Sequence, residues 1–212
     1  MRVHDGPLTD AAFYFDLASP ECYLLAERVT QVLPALDWQP VRISATAAND
    51  DSATSRDALE RRARALGMQP LRWPADYPFD GEKAMLAATY AKEIGRVVAF
   101  AQAAFRQAFA GAHSLADEDY VLIAAAACEM HPAAVLRAIT RRRVRERLDA
   151  ASEAAACAGV TSLPAIRIAS HVFCGAQSLD AATAHVALQA LDHERGETRD
   201  RFTARCAEVT SR

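Results

Sequence analysis

Short apolar segments alternate with longer stretches of helical periodicity along this chain. Residues 11–16, rich in aromatic side chains, predict a first strand, and residues 37–44 predict a second. Between them, Ser19 and Pro20 precede apolar residues at helical spacing. This pattern predicts a helix, because serine caps helix N-termini and proline suits the first helical position. A strand, a helix and a strand of these lengths form a βαβ unit, whose strands are parallel.

The next hundred or so residues, from about residue 49 to residue 158, have the period of helices. The pattern predicts a helix over residues 55–66 and a long one over residues 81–110. It then predicts two more helices, which run from Ser114 to Met130 and from Ala133 to Ala158 on either side of the His131-Pro132 break.

The strand pattern returns after the helices. Residues 160–168 predict a strand, residues 172–175 predict its antiparallel partner across a short turn, and residues 179–193 predict a closing helix. The strands at the two ends of the chain then form one small mixed sheet, so the fold class is α/β. We expect a discontinuous sheet domain, an inserted all-helical subdomain and a charged C-terminal tail, at residues 11–48 with 159–193, at 49–158 and at 194–212 respectively.

Composition narrows the possible functions. About half of the 212 residues are hydrophobic and the net charge is −3, so nucleic acid is not an expected partner. No apolar run is long enough to span a membrane, and the segment from Met1 to Asp10 has no secretory signal, so we expect a cytoplasmic protein without a membrane partner. The five cysteines form no C-x-x-C pair and have no metal-ligand spacing, which predicts reduced thiols and no metal.

Three motifs occur in order along the chain: Phe-Tyr-Phe-Asp-Leu-Ala-Ser-Pro at 13–20, Gly-Val-Thr-Ser-Leu-Pro-Ala at 159–165, and Phe-Cys-Gly-Ala-Gln-Ser-Leu at 173–179. Together they resemble the DsbA-like proteins of the 2-hydroxychromene-2-carboxylate isomerase and kappa-class glutathione transferase branch, over about residues 11–190. The resemblance implies a thioredoxin-like fold, with a mixed four-stranded sheet and an inserted helical subdomain. These proteins keep Ser-Pro where disulfide oxidoreductases carry Cys-Pro.

The same resemblance implies that Ser19 binds and activates the sulfur of glutathione, a cosubstrate. The physical basis is sound, because a helix N-terminus offers free N–H groups and partial positive charge, and a hydroxyl donor adds a hydrogen bond to a thiolate. The resemblance also implies a cis peptide bond before Pro164, which exposes the backbone N–H and C=O of Leu163 to an extended ligand.

Further residues of the predicted glutathione site are Gln177 and Ser178, which would hold the γ-glutamyl group, and Asn49, in the loop after the second strand. The chain differs from the family pattern at two positions. Glu21 stands where an aromatic residue is usual, and Gln177 stands where a carboxylate is usual.

Three functions follow as alternatives. The first is a glutathione-dependent isomerase or transferase that acts on a small, aromatic electrophile, with Ser19 as the catalytic residue. The second is a thiol-disulfide oxidoreductase variant that uses the single thiol of Cys22, three residues after Ser19. The third is a non-catalytic thioredoxin-fold protein that binds a peptide beside Pro164. The expected partner is a small-molecule substrate, and a homodimer is possible by analogy alone.

Overall fold

The first half of the sheet forms around one helix. A computed structural model describes residues 10–43 and 53–191 of the protein. Strand β1 (Ala11–Phe15) leads into helix α1 (Pro20–Val32), which returns to strand β2 (Asp37–Pro40). The two strands are parallel, with Phe13 opposite Trp38, and this pairing confirms the predicted βαβ unit. Strand β2 ends at Pro40 and is therefore shorter than the strand predicted over residues 37–44.

Helices occupy the described chain between β2 and the next strand. They are α2 (Ala53–Ala65), α3 (Glu82–Glu93), α4 (Val97–Phe109), α5 (Glu118–Ala126), α6 (Pro132–Ile139) and α7 (Arg142–Cys157). The helix predicted over residues 55–66 corresponds to α2. Two predictions were wrong, because the structure divides each of the two longest expected helices into a pair.

The break between α3 and α4 is a helix C-terminus built on glycine. Gly95 has a φ of +72°, and the N–H of Arg96 donates to the carbonyl of Ala91 at 2.7 Å. This is the hydrogen bond of a Schellman motif, which closes a helix where glycine adopts the left-handed conformation. The expected helix over residues 81–110 therefore ends at Glu93 and a new one begins at Val97.

The break between α6 and α7 has a different cause. The hydroxyl of Thr140 donates to the carbonyl of Arg137 at 3.1 Å, and Arg141 adopts an extended conformation as the N-cap of α7. A side chain that bonds to the preceding turn competes with helical continuation. The expected helix from Ala133 to Ala158 is therefore two helices.

The second half of the sheet is a hairpin. Strands β3 (Ala165–Ile168) and β4 (His171–Cys174) are antiparallel, and helix α8 covers residues 178–191 of the described chain. The sheet order is β2-β1-β3-β4, with β1 and β3 antiparallel. The hairpin and the closing helix match the prediction, but β3 is shorter than the expected strand over residues 160–168.

Opposite faces of the sheet carry different side chains, because successive residues of a strand point to opposite sides. Phe13 and Phe15 form the apolar face with Trp38, and Phe15 also contacts Phe105 of α4 with ring centroids 6.0 Å apart. Tyr14 points to the other face, where it lines a cleft with residues of α7. Tyr23 of α1 packs against Phe109, and Phe109 also contacts three aromatic rings from the chain between α2 and α3: Trp73, Tyr77 and Phe79.

Candidate functional site

The end of β1 and the start of β3 lie at the same end of the sheet. The antiparallel register places Tyr14 opposite Ala165. Ser19 follows shortly after β1, and Pro164 directly precedes β3. The topology therefore brings the N-terminus of α1 and the Leu163–Pro164 segment to one end of the central strands.

Ser19 is the N-cap of α1. Its Oγ accepts a hydrogen bond from the N–H of Cys22 at 3.2 Å, and Pro20 occupies the first helical position. A serine hydroxyl that accepts one hydrogen bond still has its own proton to donate. Ser19 can therefore cap the helix and donate its proton, and an anionic ligand at the helix start would compete for that proton with the buried sulfur of Cys22, which also hydrogen-bonds to the Ser19 side chain.

The turn before Ser19 is held from two sides. The partly buried carboxylate of Asp16 accepts from the N–H of Ala18 at 2.8 Å, and the carbonyl of Asp16 accepts from the N–H of Ser19 at 3.1 Å. Burial raises the pKa of the Asp16 carboxyl. Gly81 packs against this turn, since a Cβ at that position would lie 3.2 Å from the Cβ of Ala18. These contacts fix the position of the helix start.

Cys22 lies inside the core, directly behind Ser19. Its exposed fraction is 0 %, and burial raises the pKa of its thiol to about 12, although a hydrogen bond with the Ser19 side chain opposes the shift. The thiol is therefore protonated at neutral pH, and a thiol is a much weaker nucleophile than a thiolate. The structure places the predicted redox candidate where a ligand has no access to its sulfur.

Pro164 follows Leu163 through a cis peptide bond. The carbonyl of Pro164 accepts a hydrogen bond from the N–H of Gly175 at 2.7 Å, which ties this segment to the turn after β4. The ladder between β1 and β3 begins at Ala165, so the backbone of Leu163 lies outside it.

The turn between β4 and α8 carries the two residues predicted to hold a γ-glutamyl group. Ser178 is 1 % exposed, its N–H donates to the carbonyl of Gly175 at 3.0 Å, and its buried Oγ has no hydrogen-bond partner among residues 10–43 and 53–191. Gln177 is exposed. A buried hydroxyl without a partner is unusual and costs free energy. The described residues therefore leave the Ser178 hydroxyl unbonded, but its oxygen is buried, so a ligand reaches it only if this turn moves.

Arg62 of α2 was not predicted as a site residue. Its guanidinium donates to the carbonyl of Ala176, in the turn that precedes Ser178. Burial raises the pKa of the Glu21 carboxyl, and the positive charge of Arg62 opposes this rise. Arg62 therefore lies between the first turn of α1 and the turn after β4, and adds a positive charge to this end of the sheet.

Little in the sequence indicated this role for Arg62. The residue belongs to the run Arg61-Arg62-Ala63-Arg64, which is typical of a solvated helix face. The one available signal is its position next to Ala63, which packs in the core at 1 % exposure. An arginine beside a core residue is placed at the edge of the packed surface, where it can reach a neighbouring element.

The structure thus brings together Ser19, Leu163, Pro164 and Ser178, with Arg62 added. The predicted ligand residue Asn49 lies outside the described residues. Within residues 10–43 and 53–191, no group of three or more metal-ligating side chains is arranged to hold an ion. None of the helices in the described part of the chain is long and apolar enough to cross a bilayer.

Comparison with protein families identifies the class. Residues 12–187 match the DSBA-like thioredoxin domain, and the chain therefore belongs to this family. The match confirms the predicted thioredoxin-like fold, a mixed four-stranded sheet with helices on both faces. A search among curated protein sequences finds no match.

Solved structures share the fold at low sequence identity. The structure of a 2-hydroxychromene-2-carboxylate isomerase is 18% identical, with a TM-score of 0.72, and the match covers 89% of this chain and 98% of that chain. A probable DsbA oxidoreductase from Streptomyces coelicolor is 20% identical, with a TM-score of 0.67 and coverage of 84% and 88%. The cytosolic disulfide reductase DsbM from Pseudomonas aeruginosa, in its structure with GSH, is 15% identical, with a TM-score of 0.61 and coverage of 85% and 98%.

Proposed function

We propose that the protein is a glutathione-dependent isomerase or transferase that acts on a small, aromatic electrophile. The observation that carries this proposal is the position of Ser19. Its hydroxyl caps α1 and keeps a proton to donate, at the end of the sheet where the Leu163–Pro164 segment also lies. A thiolate bound there would receive the partial positive charge of the helix N-terminus and a hydrogen bond from the hydroxyl.

Each residue of the site has a role in this proposal. The backbone of Leu163 pairs with the cysteinyl backbone of glutathione, as one strand pairs with another. The guanidinium of Arg62, which has five N–H donors, binds the γ-glutamyl carboxylate, and a movement of the turn between β4 and α8 brings the buried hydroxyl of Ser178 to the same group. Ser19 orients the sulfur and keeps it ionised.

The proposed isomerisation involves no net oxidation or reduction, so it needs no redox partner. The thiolate attacks one carbon of a conjugated double bond, so a C–S bond forms and the double bond becomes single. Rotation about that single bond follows, and the C–S bond then breaks to restore the double bond and release the thiolate. In the transferase variant the C–S bond is kept, and the substrate gains a proton or loses a leaving group.

The role of Ser19 can be separated from helix capping with three variants. Ser19→Ala removes the cap and the donor, Ser19→Gly keeps most of the capping free energy without a donor or a charge, and Ser19→Thr keeps both. We expect bound glutathione to have a thiol pKa of about 7 or lower in the wild type and in Ser19→Thr, against about 8.5 for an ordinary thiol. The measurement is the pH dependence of thiolate ultraviolet absorbance in the complex.

The outcome distinguishes the two interpretations of Ser19. If the hydroxyl acts on the thiolate, Ser19→Ala and Ser19→Gly both lose the lowered pKa of the ligand. If the residue is a helix cap alone, Ser19→Gly behaves like the wild type. Calorimetry with glutathione comes first, and an absence of binding at millimolar concentration would contradict the proposal and favour a non-catalytic peptide-binding protein.

A second candidate is a thiol-disulfide oxidoreductase, which the similarity to DsbM and to a probable DsbA oxidoreductase favours. In this version Cys22 would form a mixed disulfide with glutathione, and its burial is the main obstacle. Mass spectrometry after incubation with glutathione disulfide tests it, with Cys22→Ser as the control. A glutathione adduct on Cys22 of the native protein would support this candidate, and its absence would exclude it.

Three assignments made from the sequence stay predictions of the same proposal. They are the cytoplasmic location, the possible homodimer, and the division into a sheet domain, an inserted helical subdomain and a C-terminal tail. Gel filtration and limited proteolysis test the last two. Residues 194–212 of that tail lie outside the described part of the chain.

A further inference from the structure

Two cysteines that the proposed function does not use lie on either side of the turn that leads to Pro164. Cys157 is the last residue of α7 and is exposed, and Cys174 is the last residue of β4 and is partly exposed. The Sγ of Cys174 lies 3.9 Å from the carbonyl oxygen of Gly159, two residues beyond Cys157.

The sheet register determines the face on which Cys174 lies. Tyr14 is opposite Ala165, and Ala165 is opposite Cys174, so the three side chains share one face. Tyr14 lines a cleft of about 260 Å³ together with Ala155 and Ala158 of α7. Cys174 is therefore on the face of the sheet that α7 covers.

Helical geometry determines the flank of α7 on which Cys157 lies. The Oγ of Ser152 accepts from the N–H of Arg42, just after β2, at 2.9 Å, so this flank of α7 faces the β2 edge. Cys157 comes five residues later, which is about 140° around the helix. Because β2 and β4 are opposite edges of the sheet, Cys157 lies on the flank directed toward β4.

The other cysteines of the described residues are in different surroundings. Cys22 and Cys128 are buried, and burial raises the pKa of both thiols. Buried thiols of this kind are unreactive, whereas accessible thiols exchange with disulfides. Among the described residues, the accessible thiols are therefore Cys157, on the flank of α7 directed toward β4, and Cys174, on the face of the sheet that α7 covers.

We propose that Cys157 and Cys174 form a reversible disulfide that ties the C-terminal end of α7 to β4. The oxidant is a low-molecular-weight disulfide, such as glutathione disulfide. One cysteine thiolate attacks it and releases one glutathione, and the second cysteine then attacks the mixed disulfide and releases another. The protein loses two electrons and two protons, and the two released glutathione molecules gain these electrons and protons as their thiol groups form.

The cross-link would act on the candidate site through the segment that leads to Pro164. The residues between the two cysteines include the whole Gly159–Pro164 segment, and Pro164 is hydrogen-bonded to Gly175, the neighbour of Cys174. A bond between Cys157 and Cys174 would restrain this segment at both ends. On the proposed function, oxidation would therefore change the affinity of the Leu163–Pro164 segment for glutathione.

The experiment is peptide mapping of the native full-length protein after incubation with glutathione disulfide and alkylation of the residual thiols. Trypsin places each of the five cysteines in a different peptide, because an arginine lies between every two of them. We expect the peptide of residues 148–167 to be joined to that of residues 168–195, with a mass lower by two hydrogen atoms. Cys157→Ser and Cys174→Ser should each lose this product, and the remaining cysteine should carry a glutathione adduct instead.

Three outcomes would overturn the proposal: separate glutathione adducts on both cysteines of the wild type, a link from either of them to the peptide of Cys206, or no reaction at either cysteine. Binding of reduced glutathione to the reduced protein is measured separately by calorimetry. If that binding is absent while the disulfide forms, the proposed function fails and the disulfide stands.

Discussion

Replacement of Ser178 by alanine is expected to have opposite effects on stability and on ligand binding. The Ser178 hydroxyl is buried at 1 % exposure, and its oxygen has no hydrogen-bond partner in the described part of the chain. A buried polar group without a partner costs about 1–3 kcal/mol. Since alanine removes the group and changes little in volume, Ser178→Ala should raise the free energy of unfolding by about 1 kcal/mol.

Added glutathione should remove the stability advantage of Ser178→Ala over the wild type. In the proposed complex the Ser178 hydroxyl donates to a carboxylate, and a hydrogen bond to a charged group contributes about 1.5–3 kcal/mol. Its loss corresponds to a dissociation constant about 10- to 150-fold larger. Ligand stabilises a protein through its concentration relative to the dissociation constant, so Ser178→Ala should gain much less stability from added glutathione than the wild type gains.

Urea denaturation with and without glutathione measures both effects. Ser152→Ala is the matched control, because the Ser152 hydroxyl has two partners: it accepts from the N–H of Arg42 and donates to the carbonyl of Leu148 at 2.7 Å. That variant should be less stable by about 1 kcal/mol, with ligand binding unchanged. A loss of stability in unliganded Ser178→Ala would show that its hydroxyl is already bonded and would refute the reasoning.

Two further predictions concern Glu21 and the core. The pKa of the Glu21 carboxyl is raised above 4.5, so between the unfolded and folded pKa values the folded state binds more protons and the free energy of unfolding decreases as pH rises. Glu21→Gln should lack this decrease, and parallel pH profiles of the two proteins in urea denaturation would contradict the assignment. Phe105→Ala removes a ring that is 0 % exposed and in contact with Phe15, and should cost about 3–5 kcal/mol of unfolding free energy. A loss below about 1 kcal/mol would mean that this ring is not part of the rigid core.

The sheet and its first helix could be predicted because their signals are local. Aromatic and β-branched residues indicated the strands, and the Ser19-Pro20 pair indicated the start of α1. The division of the long helices was harder to predict. Gly95 was a signal of a break, but the apolar periodicity on both sides of it favoured one continuous helix. The break at Thr140 had no glycine, and it depends on a side-chain hydrogen bond that periodicity does not reveal.

The candidate site was predictable only where a motif carried it. Ser19, Leu163, Pro164 and Ser178 came from motifs, and the structure places them at one end of the sheet. Arg62 is different, because its contact with Ala176 joins residues 114 positions apart in the sequence. Such a contact depends on how α2 packs, and a run of arginines on a helix contains no information about its tertiary neighbours.

The pairing of Ser19 with a core cysteine one helical turn later has an evolutionary consequence. A single Ser19→Cys substitution would create a C-x-x-C motif, with the second sulfur already in place and the helix, the sheet and the Pro164 segment unchanged. The chain therefore stands one residue away from a dithiol chemistry that its present sequence lacks. The same fold occurs in a 2-hydroxychromene-2-carboxylate isomerase and in a cytosolic disulfide reductase, so a change of chemistry requires no new architecture.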